Sequence, residues 1–91
     1  MDVPKDKLRE RAHLVEGLLR VVDDRVAFLF LVERSADRYA AKNALVTEWG
    51  LSEVQASNAL DLTFGRMTQL GRSSLAEELA ELRASIGEGP T

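Results

Sequence analysis

Two apolar seams at opposite ends of the chain constrain its fold more than any other feature. The first runs from residue 8 to residue 29 with alternating spacings of four and three, and the second runs from residue 75 to residue 86. Such spacings place apolar side chains along one narrow stripe of a helix, and a stripe sustained over three heptads requires a partner helix. The first seam comprises Leu8, Ala12, Val15, Leu19, Val22, Val26 and Leu29, and the second Leu75, Leu79, Leu82 and Ile86.

Local signals divide the first seam between two helices. Asp23 and Asp24 predict a break or kink, because aspartate is a good N-cap for a new helix. We therefore expect a first helix over about residues 5–22 and a second over about residues 24–33. Gly17 lies inside the first helix, where glycine costs about 1 kcal/mol of helix stability relative to alanine.

A third helix is expected after the polar segment 35–37 and should end at Gly50, since glycine best tolerates the left-handed conformation of a helix C-terminus. Ser52 and Gln55 have the spacing of a capping box, which predicts the start of a fourth helix. Apolar residues then alternate with polar ones, so we expect this helix to extend through Phe64 and to fray or end at the glycine that follows.

The segment 71–74 predicts one more break, after which the second seam forms the last helix. Because short helices separate the two seams, the simplest arrangement pairs the terminal helices antiparallel and caps them with the short ones. The predicted fold is all-α: an antiparallel helical coiled-coil stalk with a small helical head. We expect residues 5–86 to form this single domain and residues 87–91 to be a disordered tail.

Composition narrows the possible functions. The chain has 91 residues, no cysteine and a formal net charge of −3, so nothing indicates disulfides, secretion or autonomous binding to a phosphate backbone. The apolar run 26–32 is too short to span a bilayer, and a cytoplasmic location is expected. Lysines and arginines between residues 5 and 11 alternate with acidic residues, a pattern typical of a solvated helix face.

Four segments resemble one protein family in the same order. Residues 50–70 resemble G-L-S-E-x-Q-A-x-A-I-L-D-[LM]-R-L-x-x-L-T-x-L, found at the tip of the coiled-coil arm in the A subunit of DNA gyrase and topoisomerase IV. Residues 11–18 resemble the R-A-H-I-L-E-G-L of the descending arm. Residues 41–45 resemble the family's A-K-x-A-L. Residues 49–52 resemble the aromatic-Gly-Leu-[ST] sequence that leads into the helix at the tip of the arm.

This resemblance implies a helical module that closes a dimer gate. It implies a homodimer, a possible further partner in the gyrase A subunit, and contact with DNA only indirectly through such an enzyme. Thr63, Gly65 and Gly71 depart from the family pattern. These changes could alter the choice of partner, but they leave apolar side chains at the same helical positions as in the family. The interface that the resemblance implies comprises Ala59, Leu62, Phe64, Met67 and Leu70.

No catalytic site is evident in the sequence. Enzymes of the resembled family cleave DNA with a tyrosine nucleophile on a separate domain and rely on a partner subunit for ATP and metal binding, and neither domain is recognisable here. Tyr39 is the only tyrosine and is expected to be packed or half-exposed in a head helix. His13 has no second ligand at metal-binding spacing. We therefore expect no catalytic residues, no cofactor, no metal and no enzymatic activity.

Three other interpretations remain open. The chain could be a fragment or accessory piece of an ATP-hydrolysing DNA topoisomerase, or a helical dimer unrelated to DNA enzymes. The segment 24–34 also resembles the D-x-x-[LV]-x-x-L-L-x-E-R helix of small all-α chorismate mutases. In those enzymes a lysine is expected eleven residues after the arginine that corresponds to Arg34. This chain has Leu45 at that position, and its nearest lysine, Lys42, lies on another face of the helix.

Overall fold

The computed structural model describes residues 3–87 and consists of helices joined by short turns. This confirms the all-α class. All of the predicted tail except Gly87 lies outside the described residues. The helices are α1 (Lys5–Asp23), α2 (Arg25–Arg34), α3 (Arg38–Trp49), α4 (Glu53–Ala59), a 3₁₀ helix (Phe64–Met67) and α5 (Gln69–Ile86).

The terminal helices α1 and α5 pack against each other in opposite directions, as expected from the two seams. Asp23 at the end of α1 forms an ion pair of 2.8 Å with Arg72 at the start of α5. At the other end, Ile86 lines the same cleft as Ala12. Helix α4 also packs along α1, so the short helices cover part of this pair, and the molecule measures 44 × 25 × 24 Å.

The predicted first seam is correct as far as Val22 and wrong beyond it. Val22 is fully buried, whereas Val26 is 69% exposed and Leu29 is 41% exposed. The reason is the predicted break: Asp24 has φ −127° and ψ 50°, so α2 restarts with a different helical phase. The residues of α2 that enter the core are Phe28 and Leu31.

The predicted caps at Gly50 and Ser52 are confirmed, whereas Asp24 precedes α2 without a side-chain capping hydrogen bond. Gly50 ends α3 with φ 71°, the left-handed conformation that glycine adopts without a steric cost. Ser52 and Gln55 form both hydrogen bonds of the capping box at the start of α4. In addition, the Asp37 carboxylate accepts a hydrogen bond of 2.8 Å from the backbone N–H of Ala40 and caps α3.

Two predicted boundaries are wrong. Helix α4 ends at Ala59 and does not continue through Phe64, because the backbone N–H of Leu62 bonds to the carbonyl of Ala59 and tightens the last turn. Conversely, the segment 71–74 is not a break but lies within α5. The Thr68 side chain caps that helix, so it begins at Gln69.

Helices α1 and α4 approach each other closely at Gly17. The side-chain amide of Gln55 donates a hydrogen bond of 2.8 Å to the His13 carbonyl, and the Gln55 side chain lies directly over Gly17. A Cβ atom at position 17 would be 2.8 Å from the Gln55 Cβ and 2.9 Å from its Cγ. The helix-weakening glycine noted in the sequence is therefore required for this contact.

An ion pair with two hydrogen bonds joins α1 to α5. The Arg11 guanidinium donates to both carboxylate oxygens of Glu78, at 2.6 Å and 3.1 Å. These hydrogen bonds, opposed by burial and helped by the charges of Arg11 and Arg66, lower the pKa of Glu78. The carboxylate is therefore stabilised in its ionised form across the helix interface.

Replacing Gly17 by alanine is expected to destabilise the fold, because the new methyl group overlaps the Gln55 side chain at an overpacking cost of about 1–3 kcal/mol. This steric effect opposes, and should exceed, the gain of about 1 kcal/mol in helix propensity. The control is Gly65→Ala, since a Cβ at position 65 meets no atom within 4 Å. Urea unfolding measures both; a Gly17→Ala variant as stable as the wild type would contradict the close contact.

Acid should weaken the α1–α5 contact. The folded-state pKa of Glu78 lies below its ordinary value of 4.5, so its stabilising effect is complete above that pH and is lost as the pH falls through the folded-state pKa. Glu78→Gln should therefore flatten the fall in unfolding free energy below about pH 4.5. Glu77→Gln, at an exposed neighbouring position, is the control and should retain the wild-type slope.

Candidate dimer interface

The predicted interface residues divide into outward-facing and inward-facing groups. Phe64 is 75% exposed and Leu70 is 78% exposed, although both are large apolar side chains. Ala59 and Met67 belong to the core of the chain itself, and Leu62 is half-buried against that core. Within a single chain, then, Phe64 and Leu70 are the accessible apolar side chains among the predicted interface residues. We call these two residues the gate patch.

Thr68 fixes the turn between the two residues of the gate patch. Its hydroxyl donates a hydrogen bond of 3.0 Å to the Gly65 carbonyl and accepts one of 3.0 Å from the backbone N–H of Gly71. One side chain thus closes the end of the 3₁₀ helix and caps the start of α5. The turn that separates Phe64 from Leu70 is consequently held at both ends.

Gly71 lets the 3₁₀ helix lie directly on the first turn of α5. A Cβ atom at position 71 would overlap the backbone oxygen of Arg66. The sequence pattern predicts a helix break at Gly71. In the structure this glycine instead lies within α5 and allows two backbones to approach closely. The gate patch therefore rests on a tightly packed support.

The cations beside the gate patch are paired within the chain. Arg66 lies 3.9 Å from Glu78, and Arg72 forms its 2.8 Å ion pair with Asp23. The hydrogen bond from Arg72, opposed by a smaller effect of burial, lowers the pKa of Asp23. Because these charges already have partners, covering the neighbouring apolar patch does not leave them unpaired.

The basic residues near the N-terminus do not form a concentrated positive surface. Lys7 lies 3.7 Å from Glu10, and Arg9 lies 3.7 Å from Asp6. Arg11 is engaged by Glu78 on α5. This arrangement fits the interpretation of the segment as a solvated helix face, and it leaves little positive charge to attract a phosphate backbone.

Tyr39 and His13 both have structural surroundings. Tyr39 is 69% exposed, more than expected, and the Lys42 ammonium lies 5.7 Å from its ring centroid. His13 Nε2 lies 2.8 Å from the Ser52 hydroxyl oxygen, which also accepts the hydrogen bond that caps α4. Residues 3–87 contain no cluster of three histidine, aspartate or glutamate side chains placed to hold a metal ion.

Arg34 and Lys42, the two cations considered in the comparison with chorismate mutases, contact different carboxylates. Arg34 forms an ion pair of 2.7 Å with Glu48, and Lys42 lies 3.8 Å from Glu53. The two cations therefore pair with carboxylates on different helices, Arg34 with α3 and Lys42 with α4. Within residues 3–87, no helix is both long and apolar enough to cross a membrane.

A second exposed apolar surface, on α2, is not among the residues that the sequence predicts for a site. Val26 and Leu29 fall in the predicted buried seam, but they lie outside together with Phe30, which is 64% exposed. The signal for this surface is the break at Asp24, which changes the helical phase of every residue after it. Applying the new phase from that point places all three side chains on one outward face.

Comparison with known proteins identifies related sequences, although no protein-family model matches the chain. It is 42% identical to the A subunit of DNA gyrase from Campylobacter jejuni over 80 residues, which is 88% of this chain and 9% of that protein. It is 38% identical to the Synechocystis homologue over 82 residues and 36% identical to the Deinococcus deserti homologue over 80 residues, 10% of each. The chain is therefore homologous to one segment of the DNA gyrase A subunit, a segment that makes up about a tenth of that protein.

Proposed function

We propose that this chain is a dimerisation module that acts as a structural or regulatory partner of DNA gyrase and has no catalytic activity of its own. The observation that carries the proposal is the gate patch, in which two large apolar side chains project from a rigid turn of a gyrase A homologue. Exposed apolar side chains on a fixed support are typical of protein interaction sites.

The proposed dimer is symmetric about a two-fold axis. Phe64 and Leu70 of one copy would pack against the same residues of the other, since a two-fold interface uses one self-complementary surface twice. Leu62 would lie at its edge, and Ala59 and Met67 would support it from the core side. Standard interfaces bury about 800 Å² per partner, so adjoining parts of the 3₁₀ helix and α5 would share the contact.

The gyrase A subunit is the second proposed partner. Each relative described above is the A subunit of a DNA gyrase, and this chain matches one segment of each. If that segment of the gyrase protein presents a similar surface, the chain could pair with it in place of a second copy. Such mixed pairing would give the module a regulatory effect without a catalytic residue.

An alternative is that the chain contributes structure to a topoisomerase whose activity resides in other polypeptide segments. The small share of each relative that is matched, 9–10%, favours this alternative. The two proposals differ in what the module does alone. A regulatory partner acts when added to a complete gyrase, whereas a structural piece acts only with the remainder of its own enzyme.

The double variant Phe64→Asp, Leu70→Asp is expected to weaken the proposed dimer by about a thousandfold, because carboxylates in a desolvated interface cost several kcal/mol. Val54→Asp is the matched control, since Val54 is 62% exposed on α4. Sedimentation velocity measures the mass, and circular dichroism checks that the helices are retained. If a folded double variant associates as strongly as the wild type, the gate patch is not the interface.

The full chain should bind the gyrase A subunit of its own host and change the rate of DNA supercoiling when added to the intact enzyme. Tagged chain retained on a resin measures binding, and relaxed plasmid measures supercoiling. The Phe64→Asp, Leu70→Asp variant should lose both effects, because the same patch would contact the gyrase. Unchanged supercoiling together with no retention would refute the regulatory proposal and leave the structural alternative.

A further inference from the structure

Helix α2 presents an apolar face that the chain itself does not cover. Val26 is 69% exposed, Leu29 is 41% exposed and Phe30 is 64% exposed. Their spacing places the three side chains on one side of the helix, opposite the buried Phe28 and Leu31. We call Val26, Leu29 and Phe30 the α2 patch.

Contacts on the inner side hold the α2 patch outward. Phe28 packs edge-on against Trp49 with ring centroids 6.3 Å apart, and the Arg20 guanidinium lies 5.2 Å from the centroid of the same tryptophan. At the end of the helix, Arg34 is anchored to Glu48 on α3. Rotation of α2 to bury the patch would break these contacts, so its exposure is a fixed property of the fold.

Opposite charges mark the two ends of the α2 patch. Arg25 precedes it, with Nε donating a hydrogen bond of 2.9 Å to the Val22 carbonyl. Glu33 follows on the outward face, is exposed, and has no hydrogen-bond or ion-pair partner among residues 3–87. Each charge lies four residues from Leu29, which places it about 6 Å along the helix axis in opposite directions.

We infer that the α2 patch binds the same patch of a second copy of this chain, with the two α2 helices antiparallel about a two-fold axis at Leu29. In that orientation Arg25 of each copy lies opposite Glu33 of the other, and the apolar side chains meet between the two charge pairs. A parallel arrangement would bring like charges together. Charge complementarity therefore selects a second copy, and it selects its direction.

This contact is independent of the gate patch. The α2 patch lies on a helix that packs against α1 and α3, whereas the gate patch lies on the 3₁₀ helix and the start of α5. Three apolar side chains per copy form a surface well below the about 800 Å² of a standard interface. The association is consequently weak and depends strongly on protein concentration. With both patches intact, the proposed dimers would themselves associate.

The test uses sedimentation equilibrium of the full chain from about 10 μM to about 1 mM, a range suited to weak association. The variant Phe64→Asp, Leu70→Asp isolates the α2 contact, and we expect it to show a monomer–dimer equilibrium. Adding Phe30→Glu should weaken that equilibrium by about a hundredfold or more, since it puts a carboxylate at the centre of the contact. Circular dichroism confirms folding of each variant.

Charge exchange tests the direction of the helices. In the same background, Glu33→Arg should weaken dimerisation about tenfold, because each arginine at position 25 would face another arginine. The further change Arg25→Glu should restore the affinity, since the two charges are then exchanged and complementary again. Glu77→Arg is the control: it makes the same charge change at an exposed site of α5 and should leave the affinity unchanged.

The outcomes separate this inference from the proposed function. A folded Phe64→Asp, Leu70→Asp variant that is monomeric up to about 1 mM would overturn the α2 contact and would agree with a dimer formed through the gate patch alone. Association that persists after Phe30→Glu, or that Arg25→Glu fails to rescue, would also overturn it. If the gate variant associates like the wild type but Phe30→Glu abolishes association, the α2 contact stands and the gate dimer fails.

Discussion

Gln55 joins the start of one helix to the side of another, and the course of the chain that follows depends on this junction. Its side-chain oxygen accepts a hydrogen bond from the Ser52 backbone and its amide donates to the His13 carbonyl, while its aliphatic part covers Gly17. It is only 8% exposed, so both polar ends must be satisfied inside the protein. The first turn of α4 is thereby fixed on α1, and so is the point at which the chain leaves α4.

The shape of the gate patch follows from that point. Helix α4 tightens and ends at Ala59, after which the chain must reach the start of α5 within a few residues. It does so through a 3₁₀ helix packed on Gly71 and locked by Thr68. With Met67 turned into the core, Phe64 and Leu70 remain outside. Their exposure results from a well-packed interior and does not require a loose loop.

Signals that depend on a few neighbouring residues could be predicted from the sequence. The capping box at Ser52, the left-handed Gly50, the break at Asp24 and the pairing of the terminal helices are examples, because each is set by local chemistry or by the periodicity of one helix. The end of α4 and the start of α5 could not be predicted. They depend on the tightened turn between Ala59 and Leu62, on the cap that Thr68 supplies, and on the backbone of Arg66 packing against Gly71, none of which the alternation of apolar residues encodes.

Two errors in the predicted site have one cause. The predicted interface residues include both buried and exposed side chains, and the residues of the α2 patch are missing from the prediction. Both predictions carry one helical phase across a point where the phase changes, at Ala59 in one case and at Asp24 in the other. A chain of 91 residues has little interior, and apolar side chains that a break turns outward cannot all be accommodated elsewhere in the same core. Each break therefore has the same consequence, a small apolar surface held rigidly by the packing behind it. Association is the usual way to remove such a surface from water, and the paired or opposed charges around each patch determine which partner and which orientation it accepts.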